Sequence, residues 1–350
     1  TFIKLKDRKL NKILVTGGCG FIGSNFILKI NNELDCDILN IDKLTYSGNL
    51  DNLESIKSNY TFLKGDICSN ELIKKSINDF QPNYIVNFAA ESHVDRSIDS
   101  YSDFINTNIL GTINLLDCSL KYFNRSLDKN FRFIHVSTDE VYGSLGDNGS
   151  FTEESTYVPS SPYSASKASS DHFVTAWNKT FGLPTIITNC SNNYGPFQFP
   201  EKLIPLMIIN AINSRRLPIY GNGKNIRDWI HVYDHCDAIM KIIDKGDIGQ
   251  KYNIGGNCEK TNLEIVETIC DIVDSNEFIE NEGSTKDLID FVDDRPGHDF
   301  RYAVNCNKIS NSLGWKPKIS FNEGIKDTVN WYLNNTDWIK DINNKYSFER

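Results

Sequence analysis

Three evenly spaced glycines lie between a short apolar segment and an amphipathic one near the start of the chain. Residues 12–16 (KILVT) are apolar and partly β-branched, which predicts a buried strand, whereas the segment from Ser24 (SNFILKIN) has helical periodicity. Gly17, Gly20 and Gly23 fall in the turn between them. Glycine alone combines positive φ with close backbone approach, and a helix N-terminus offers free N–H groups to phosphates. The segment therefore predicts a strand–turn–helix unit that binds a dinucleotide pyrophosphate.

A carboxylate at the end of the next strand indicates which dinucleotide binds. Residues 37–42 (DILNID) predict a strand that ends in Asp42, 19 residues after Gly23. A carboxylate there accepts hydrogen bonds from both ribose hydroxyls and repels a 2′-phosphate, which favours NAD over NADP. The alternative is a purely structural glycine turn, which the surrounding strand, helix and carboxylate together disfavour.

Strands and helices alternate through the first 190 residues. Apolar segments predict further strands at 60–67, 84–90, 131–137 and 185–190. Helical patterns lie between them at 71–80, 102–123 and 163–180. This alternation predicts an α/β fold, a doubly wound parallel (Rossmann) sheet.

The pattern changes after residue 190, where segments become shorter and richer in Pro and Gly. We expect residues 1–190 to form the dinucleotide-binding domain and residues 191–227 and 257–350 a smaller, mixed α/β C-terminal lobe. Residues 228–244 predict a helix and 251–256 a strand, and we expect 228–256 to return to the first domain.

Charge and cysteine usage exclude several classes of protein. The 46 acidic and 37 basic residues give a net charge of −9, which argues against a nucleic-acid partner and requires local Arg or Lys for any anionic ligand. The 9 cysteines form no C-x-x-C pair, which indicates reduced thiols in the cytoplasm and no metal site. No apolar run approaches the length of a membrane helix, and residues 1–11 are interpreted as a polar lead-in, not a secretory signal.

A tyrosine and a lysine share one face of the helix predicted over 163–180. Tyr163 and Lys167 are spaced i and i+4. An adjacent ammonium lowers a tyrosine pKa from about 10 toward neutrality, so we expect a tyrosinate that accepts a carbinol proton during hydride transfer. The alternative is an exposed helix pair without a chemical role.

Two adjacent carboxylates follow the strand predicted at 131–137. The motif STDEVYG places Thr138, Asp139 and Glu140 at the carboxyl edge of the sheet, where ligands of this fold bind. Because like charges raise one of the two pKa values, one carboxyl can act as an acid and the other as a base. A solvated acidic turn is the alternative.

Taken together, these motifs are similar to those of the dTDP-glucose 4,6-dehydratases, a family of extended short-chain dehydrogenases/reductases. The resemblance runs from Lys12 to about Tyr332. The Thr-Asp-Glu triplet separates this family from epimerases, which share the glycine loop and the Tyr/Lys pair. The segments that carry the resemblance are GGCGFIGS, DKLTYSGNL, FAAESHVDRSI, STDEVYG, YSASKASSDH, TNCSNNYGPFQFPEKLIP, PIYGNGKNIRDWIHVYDHC and DRPGHDFRYAV.

The resemblance implies a redox-neutral cycle in which NAD is regenerated and stays bound. Tyr163 takes the 4-hydroxyl proton while C4 passes hydride to NAD⁺, and Glu140 then removes the C5 proton. Protonated Asp139 releases the 6-hydroxyl as water, and hydride returns to C6. Thr138 would bond the 4-oxygen, and Lys167 would hold the nicotinamide ribose. The product is a nucleotide-linked 4-keto-6-deoxy sugar.

The resemblance also implies a set of binding residues. Those for the cofactor are Gly17, Gly20, Phe21, Ile22, Gly23, Asp42, Lys43, Leu44, Thr45, Asp66, Ile67, Phe88, Ala89, Ala90, Ser92, Thr107, Tyr163, Lys167 and Asn193. Those for the sugar nucleotide are Ser92, Thr138, Asn192, Lys202, Leu203, Pro218, Ile219, Tyr220, Arg227, Asn262, Asp294, Arg295, Pro296, Gly297 and His298, with Glu91 beside them.

Several alternatives stay open at this point. UDP-glucose is the alternative substrate, a UDP-sugar epimerase or decarboxylase the alternative enzyme, and a non-catalytic NAD-binding module the alternative class. Arg227 and Arg295 suit a diphosphate, although arginines more often form surface ion pairs.

By analogy we expect a homodimer formed through the helices around 102–123 and 163–180. Whether the product leads to rhamnose or another deoxysugar is open. Cys19 stands where the family usually has Ala, and we expect no functional change.

Overall fold

A seven-stranded parallel sheet forms the larger lobe of the computed structural model, which describes residues 12–126, 130–276 and 283–345. Its order is β10-β6-β5-β4-β1-β2-β3, and every neighbouring pair is parallel. These strands are β1 Lys12–Thr16, β2 Asp37–Asp42, β3 Tyr60–Lys64, β4 Tyr84–Asn87, β5 Arg132–Thr138, β6 Thr185–Cys190 and β10 Lys251–Ile254. The predicted doubly wound parallel sheet is confirmed.

Helices cover both faces of this sheet and much of the smaller lobe. The α-helices are α1 Phe21–Glu33, α2 Asn70–Phe80, α3 Val94–Asp99, α4 Thr112–Ser126, α5 Pro162–Phe181, α6 Leu203–Ile212, α7 Val232–Lys245, α8 Asn262–Asp274, α9 Asn307–Leu313, α10 Phe321–Asn334 and α11 Thr336–Lys345. Short 3-10 turns occupy Leu50–Leu53, Asp139–Tyr142 and Thr285–Leu288. Within the described residues, no helix is both long and apolar enough to cross a membrane.

The helix predicted over 102–123 is not regular. A single α-turn, Ser102–Phe104, leads into a π-helical segment, Ile105–Gly111, which continues into α4. The Asn108 side chain in this segment accepts a hydrogen bond from the Glu91 backbone N–H at 2.9 Å and donates one to the Ser166 hydroxyl at 2.8 Å. The wider π-turn thus brings helix side chains to the carboxyl edge of the sheet, as π-bulges often do at functional sites.

The smaller lobe contains two small sheets. One is mixed, with order β11-β9-β7, and consists of β7 Asn192–Tyr194, β9 Ile226–His231 and β11 Glu259–Thr261. The other pairs β8 Leu217–Tyr220 with β12 Ile289–Val292 in parallel.

The prediction of a helix beginning at residue 228 is wrong for its first four positions. Residues up to His231 belong to β9, which is paired on both sides by β7 and β11. This pairing overrides the local helical pattern. The helix begins at Val232, and the His231 ring caps it by accepting the Tyr233 N–H at 3.3 Å.

Apolar side chains fill separate cores in the two lobes. Two clusters of buried residues cover the faces of the large sheet, one centred on α1 and α7 and the other on α2 and α4. A third cluster lies among α6, α8 and α10 in the smaller lobe. The chain leaves β6 for the smaller lobe and returns in α7, which packs on the large sheet, and in β10, which pairs beside β6. The carboxyl ends of the large sheet therefore face the smaller lobe across a crevice.

Candidate active site

The glycine turn has the close packing that its spacing predicts. Gly17 has φ +70°, and a Cβ there would lie 2.6 Å from the Ala89 backbone nitrogen. A Cβ on Gly23 would lie 2.4 Å from the Gly17 carbonyl oxygen. Helix α1 starts at Phe21 with no side-chain cap and no acidic residue in its first turn. Its first N–H groups are therefore suited to bind a pyrophosphate.

Gly17→Ala is expected to abolish NAD retention and to destabilise the fold. Gly314 is the matched control, because it has φ +66° but open space where a Cβ would lie. Both substitutions cost about 1–2 kcal/mol for the left-handed backbone, and only Gly17→Ala adds the clash with Ala89. Urea unfolding and the NAD content of the purified protein measure the two effects. Equal losses in the two variants would contradict the packing argument.

Asp42 lies at the wall of the crevice and is held by two backbone groups. Its carboxylate accepts the Cys19 N–H at 2.9 Å and the Leu44 N–H at 2.8 Å. Burial raises the pKa of Asp42, and these two hydrogen bonds oppose the increase. The carboxylate retains lone pairs for the hydroxyls of a ribose. The position fits NAD and disfavours a 2′-phosphate.

One crevice at the carboxyl edge of the large sheet gathers the cofactor residues implied by the resemblance. Leu44 is the exception, since its side chain does not line the crevice and its N–H supports Asp42. Residues that the sequence analysis missed include Ser47, Gly48, Gln198 and Phe199. The residues that line the crevice as expected are Gly17, Gly20, Phe21, Ile22, Gly23, Asp42, Lys43, Thr45, Asp66, Ile67, Phe88, Ala89, Ala90, Ser92, Thr107, Tyr163, Lys167 and Asn193.

The acidic pair occupies a 3-10 turn that directly continues β5. The Thr138 hydroxyl caps this turn, accepting the Glu140 N–H at 3.3 Å and lying 3.3 Å from an Asp139 carboxylate oxygen. Thr138, Asp139, Glu140, Tyr163 and Lys167 all line the same crevice. The structure therefore brings together all five residues that the sequence analysis proposed as catalytic.

The two carboxyl groups have different electrostatic surroundings. Asp139 is 1% exposed, and burial, followed by the charges of Glu140 and Asp228, raises its pKa well above the ordinary value. Burial also raises the pKa of Glu140, but the cations Arg295, Lys202 and Arg227 oppose the increase. Asp139 is therefore the group that holds a proton, and Glu140 the group that ionises more readily.

Asp139→Asn is expected to stabilise the protein by about 1 kcal/mol near neutral pH, a typical gain from relieving a functional compromise. Folding raises the pKa of Asp139, so the folded chain must take up a proton. The contribution of Asp139 to the free energy of unfolding is fully present below the unfolded pKa of about 4. This contribution is lost as the pH rises toward the folded pKa. Asparagine removes this dependence, so the advantage of the variant should grow with pH from about 4. Thermal unfolding across a pH series measures this difference in stability, and Asp79→Asn at an exposed position is the control. A difference between variant and wild type that stayed constant with pH would contradict a protonated Asp139.

The expected lowering of the Tyr163 pKa by Lys167 is wrong for the protein chain itself. Burial, and next the charge of Glu140, raises the pKa of Tyr163 well above 10, while a hydrogen bond with Thr138 opposes this. Lys167 donates to the Val136 carbonyl at 2.9 Å, and burial lowers its pKa against the opposing charge of Asp171. The sequence showed the i, i+4 spacing but not the burial that dominates both groups.

A second pocket opens from the crevice into the smaller lobe, and Glu140, Asn192 and Lys202 line both. Of the residues expected to contact the sugar nucleotide, Ser92 and Thr138 lie in the cofactor crevice. The pocket is lined by Asn192, Lys202, Leu203, Pro218, Ile219, Tyr220, Arg227, Asn262, Arg295 and His298. Asp294, Pro296 and Gly297 do not line it.

Both predicted arginines are held in place at this pocket. The Arg227 guanidinium donates to the carbonyls of Asp299 (3.0 Å) and Ile226 (2.8 Å) and lies 4.3 Å from the centre of the Tyr302 ring. Arg295 forms an ion pair with Asp95 at 2.9 Å. The local cations that an anionic ligand requires in an acidic chain are therefore present. The sequence analysis gave no role to Asp95, Glu201 and Tyr302, although all three lie in segments that carry the resemblance and line this pocket.

The parallel sheet carries a glycine turn and a Tyr/Lys helix on one crevice, and a second, cationic pocket opens from that crevice. This arrangement places the chain among the extended short-chain dehydrogenases/reductases. The family profile described as GDP-mannose 4,6 dehydratase matches residues 14–328. A probable dTDP-glucose 4,6-dehydratase of Sinorhizobium fredii is 52% identical over 349 residues, covering 97% of this chain and 98% of the relative. The chain belongs to the dTDP-glucose 4,6-dehydratase family.

Solved structures agree with this membership. The dTDP-glucose 4,6-dehydratase of Bacillus anthracis in complex with NAD aligns with a TM-score of 0.84 at 48% identity, over 95% of this chain and 99% of the other. The enzyme of Streptomyces venezuelae, with NAD and TYD bound, aligns with a TM-score of 0.87 at 41% identity, over 95% and 99%. The resemblance stated from the sequence is confirmed, and UDP-glucose is not favoured as the alternative substrate.

Proposed function

We propose that this protein dehydrates dTDP-glucose to the nucleotide-linked 4-keto-6-deoxy sugar, with NAD as cofactor and the residues named above in their assigned roles. The observation that carries the proposal is the position of the Thr138–Glu140 turn. It faces Tyr163 inside the dinucleotide crevice, where that crevice opens into the cationic pocket. Such a site can hold a nucleotide sugar with its C4–C6 edge beside a hydride acceptor.

NAD held in this crevice would supply the hydride acceptor for C4 and the hydride donor for C6. Tyr163 serves as the base for the 4-hydroxyl proton. The Thr138 hydroxyl lines the same crevice and interacts with the Tyr163 hydroxyl, so both can bond the 4-oxygen of a bound sugar. Lys167, fixed on the Val136 carbonyl, places its ammonium at the crevice wall. From there it can donate to the hydroxyls of the nicotinamide ribose, the role that the resemblance implies.

Elimination of water needs a base for the C5 proton and an acid for the 6-hydroxyl. Glu140 is the base, because Arg295, Lys202 and Arg227 favour its carboxylate form. Asp139 is the acid, because burial and the neighbouring negative charges keep it protonated. The proton taken from C5 returns there from Glu140 when hydride returns to C6. The atoms of the sugar balance as loss of one water.

The phosphates of the substrate are assigned to Arg227 and Arg295. Arg227 donates to three backbone carbonyls and keeps the other donors of its guanidinium free of them. Arg295 lines the same pocket, and Lys202 lines both this pocket and the crevice. Guanidinium geometry suits bidentate contact with phosphate oxygens. His298 supports this wall through its 2.6 Å contact with Asp294.

Incubation with dTDP-glucose and with UDP-glucose, in separate reactions, tests the function. A 4-keto-6-deoxy product, identified by mass spectrometry and by its absorbance in base, is expected with dTDP-glucose at a much higher kcat/KM. Product from neither sugar would contradict the dehydratase assignment. Equal efficiency with both would contradict the preference for thymine.

Assembly, domain division and location form the rest of the proposal. Exposed apolar side chains on the proposed dimer helices, such as Leu110 at 52% and Phe181 at 51%, support a homodimer. Light scattering of Leu110→Glu should show monomers where the wild type shows dimers. We assign residues 1–190, with 228–256, to cofactor binding and the rest to the sugar nucleotide. Within 228–256, residues 228–231 belong to β9 of the smaller lobe, and residues 1–11 lie outside the described part. Free thiols at all nine cysteines suit the reducing cytoplasm, which cell fractionation would test.

A further inference from the structure

Asp95 lies on α3, within the segment FAAESHVDRSI that carries the family resemblance, but the sequence analysis gave it no role. Its side chain is 26% exposed, and it faces the second pocket from the cofactor-binding side. One carboxylate oxygen accepts the Arg295 guanidinium at 2.9 Å, and the other accepts the Tyr220 hydroxyl at 3.1 Å. Arg295 and Tyr220 both belong to the smaller lobe, 200 and 125 residues away in the chain. One carboxylate thus joins two walls of the pocket.

We propose that Asp95 is a positioning residue for the substrate, which holds Arg295 and Tyr220 at the places where they receive the nucleoside diphosphate. This inference rests on the proposed function. Asp95 touches neither the reacting carbons nor the cofactor crevice, so it acts through the two side chains that it orients.

The remaining donors of Arg295 support this role. Asp95 engages Nη1, while Nε is buried and has no hydrogen-bond partner among the described residues. Guanidinium carries five donors in a fixed fork, so an arginine anchored at one end presents the others in a defined direction. Asp95 therefore fixes the direction in which Arg295 meets an anion.

The charges around Arg295 give the anchor a second effect. Arg295 faces Glu140 and Tyr302, and the cations Lys202 and Arg227 also lie close to this group of charges. Released from Asp95, the guanidinium would be drawn toward the Glu140 carboxylate. Asp95 thus keeps a phosphate-binding cation from pairing with the proposed base.

Asp95→Asn distinguishes positioning from simple electrostatics by the sign of its effect. Removing a negative charge beside an anion pocket should by Coulomb attraction alone tighten the binding of a diphosphate. If Asp95 positions Arg295, the variant should instead raise KM for dTDP-glucose and Kd for dTDP by about tenfold, which corresponds to about 1.4 kcal/mol. Affinity for NAD should stay unchanged.

The control is Asp99→Asn, which removes the same charge from an exposed position on the same helix. Arg295→Ala is combined with Asp95→Asn in a double-mutant cycle. If Asp95 acts through Arg295, the double variant should bind dTDP within about twofold of Arg295→Ala alone. The proposal would be overturned if the two substitutions reduced dTDP affinity independently, so that their effects multiplied in the double variant. An unchanged or lower Kd for dTDP in Asp95→Asn would overturn it as well.

Calorimetric binding of dTDP and thermal unfolding keep the test separate from turnover. A variant that unfolds earlier and loses NAD as well would indicate a merely structural role and overturn the proposal. If the wild type bound dTDP but did not turn over dTDP-glucose, the proposed function would fail. The role of Asp95 in orienting Arg295 would still be decided by the binding cycle.

Discussion

Tyr163→Phe is expected to lower kcat/KM for dTDP-glucose by about 10²–10⁴, the usual contribution of a general base. The tyrosine oxygen lies within hydrogen-bond reach of Thr138, at the point where the crevice meets the catalytic turn. Phenylalanine preserves the ring, which packs edge-on against Phe104 with ring centres 6.3 Å apart. The loss should therefore affect chemistry and leave dTDP affinity unchanged.

Tyr142→Phe is the matched control for this substitution. Tyr142 belongs to the 3-10 turn that carries Asp139 and Glu140. Its hydroxyl donates to the Asn253 side chain at 2.8 Å, and Tyr142 does not line the crevice. Its removal should lower the free energy of unfolding by about 1 kcal/mol and leave turnover nearly intact. Single-turnover absorbance of reduced nicotinamide isolates the first hydride transfer. Normal formation of that signal in Tyr163→Phe would refute the assignment of the base.

Glu140→Gln is expected to lower the rate of product formation by a similar factor, about 10²–10⁴, whereas C4 oxidation continues. Glutamine keeps the shape of the side chain and its place in the turn but cannot accept the C5 proton. Because elimination then stalls, the reduced-nicotinamide absorbance should accumulate on the enzyme with substrate present. The substrate C5 proton should also stop exchanging with deuterium from solvent.

Glu154→Gln is the control, since Glu154 is exposed and lies beyond the catalytic turn in the same loop. It should show wild-type turnover and exchange. The critical comparison is between the two partial reactions of Glu140→Gln. If C4 oxidation and C5 exchange fell by the same factor, Glu140 would serve the first step and not the elimination. Turnover at the wild-type rate would exclude it as the base.

The part of the site that the sequence revealed is local in the chain. The glycine turn, the STDE turn and the Tyr/Lys spacing each span a few residues, so their backbone geometry follows from neighbours. Asp95 could not be found in this way, because its partners Tyr220 and Arg295 meet it only after two lobes pack together.

The pKa of Tyr163 and the π-helical segment Ile105–Gly111 show two further limits of sequence reasoning. Spacing gave the correct neighbour for Tyr163, but burial depends on everything packed around the residue and outweighed that neighbour. The π-segment follows from tertiary bonds of Asn108 to a loop 17 residues earlier, which a helical period cannot indicate. For the fold class, by contrast, short apolar segments alternating with helical patterns were sufficient, because the central strands of the sheet are buried along their length.

The late return of β10 to the large sheet has a consequence for synthesis on the ribosome. Until β10 (Lys251–Ile254) has emerged, β6 is an edge strand whose outer backbone groups have no strand partner. A nascent chain that has reached about residue 190 therefore exposes an unpaired edge strand, which can pair with another chain, until about 60 more residues have been added. We expect chains truncated between β6 and β10 to aggregate, whereas chains that extend past β10 close the larger lobe.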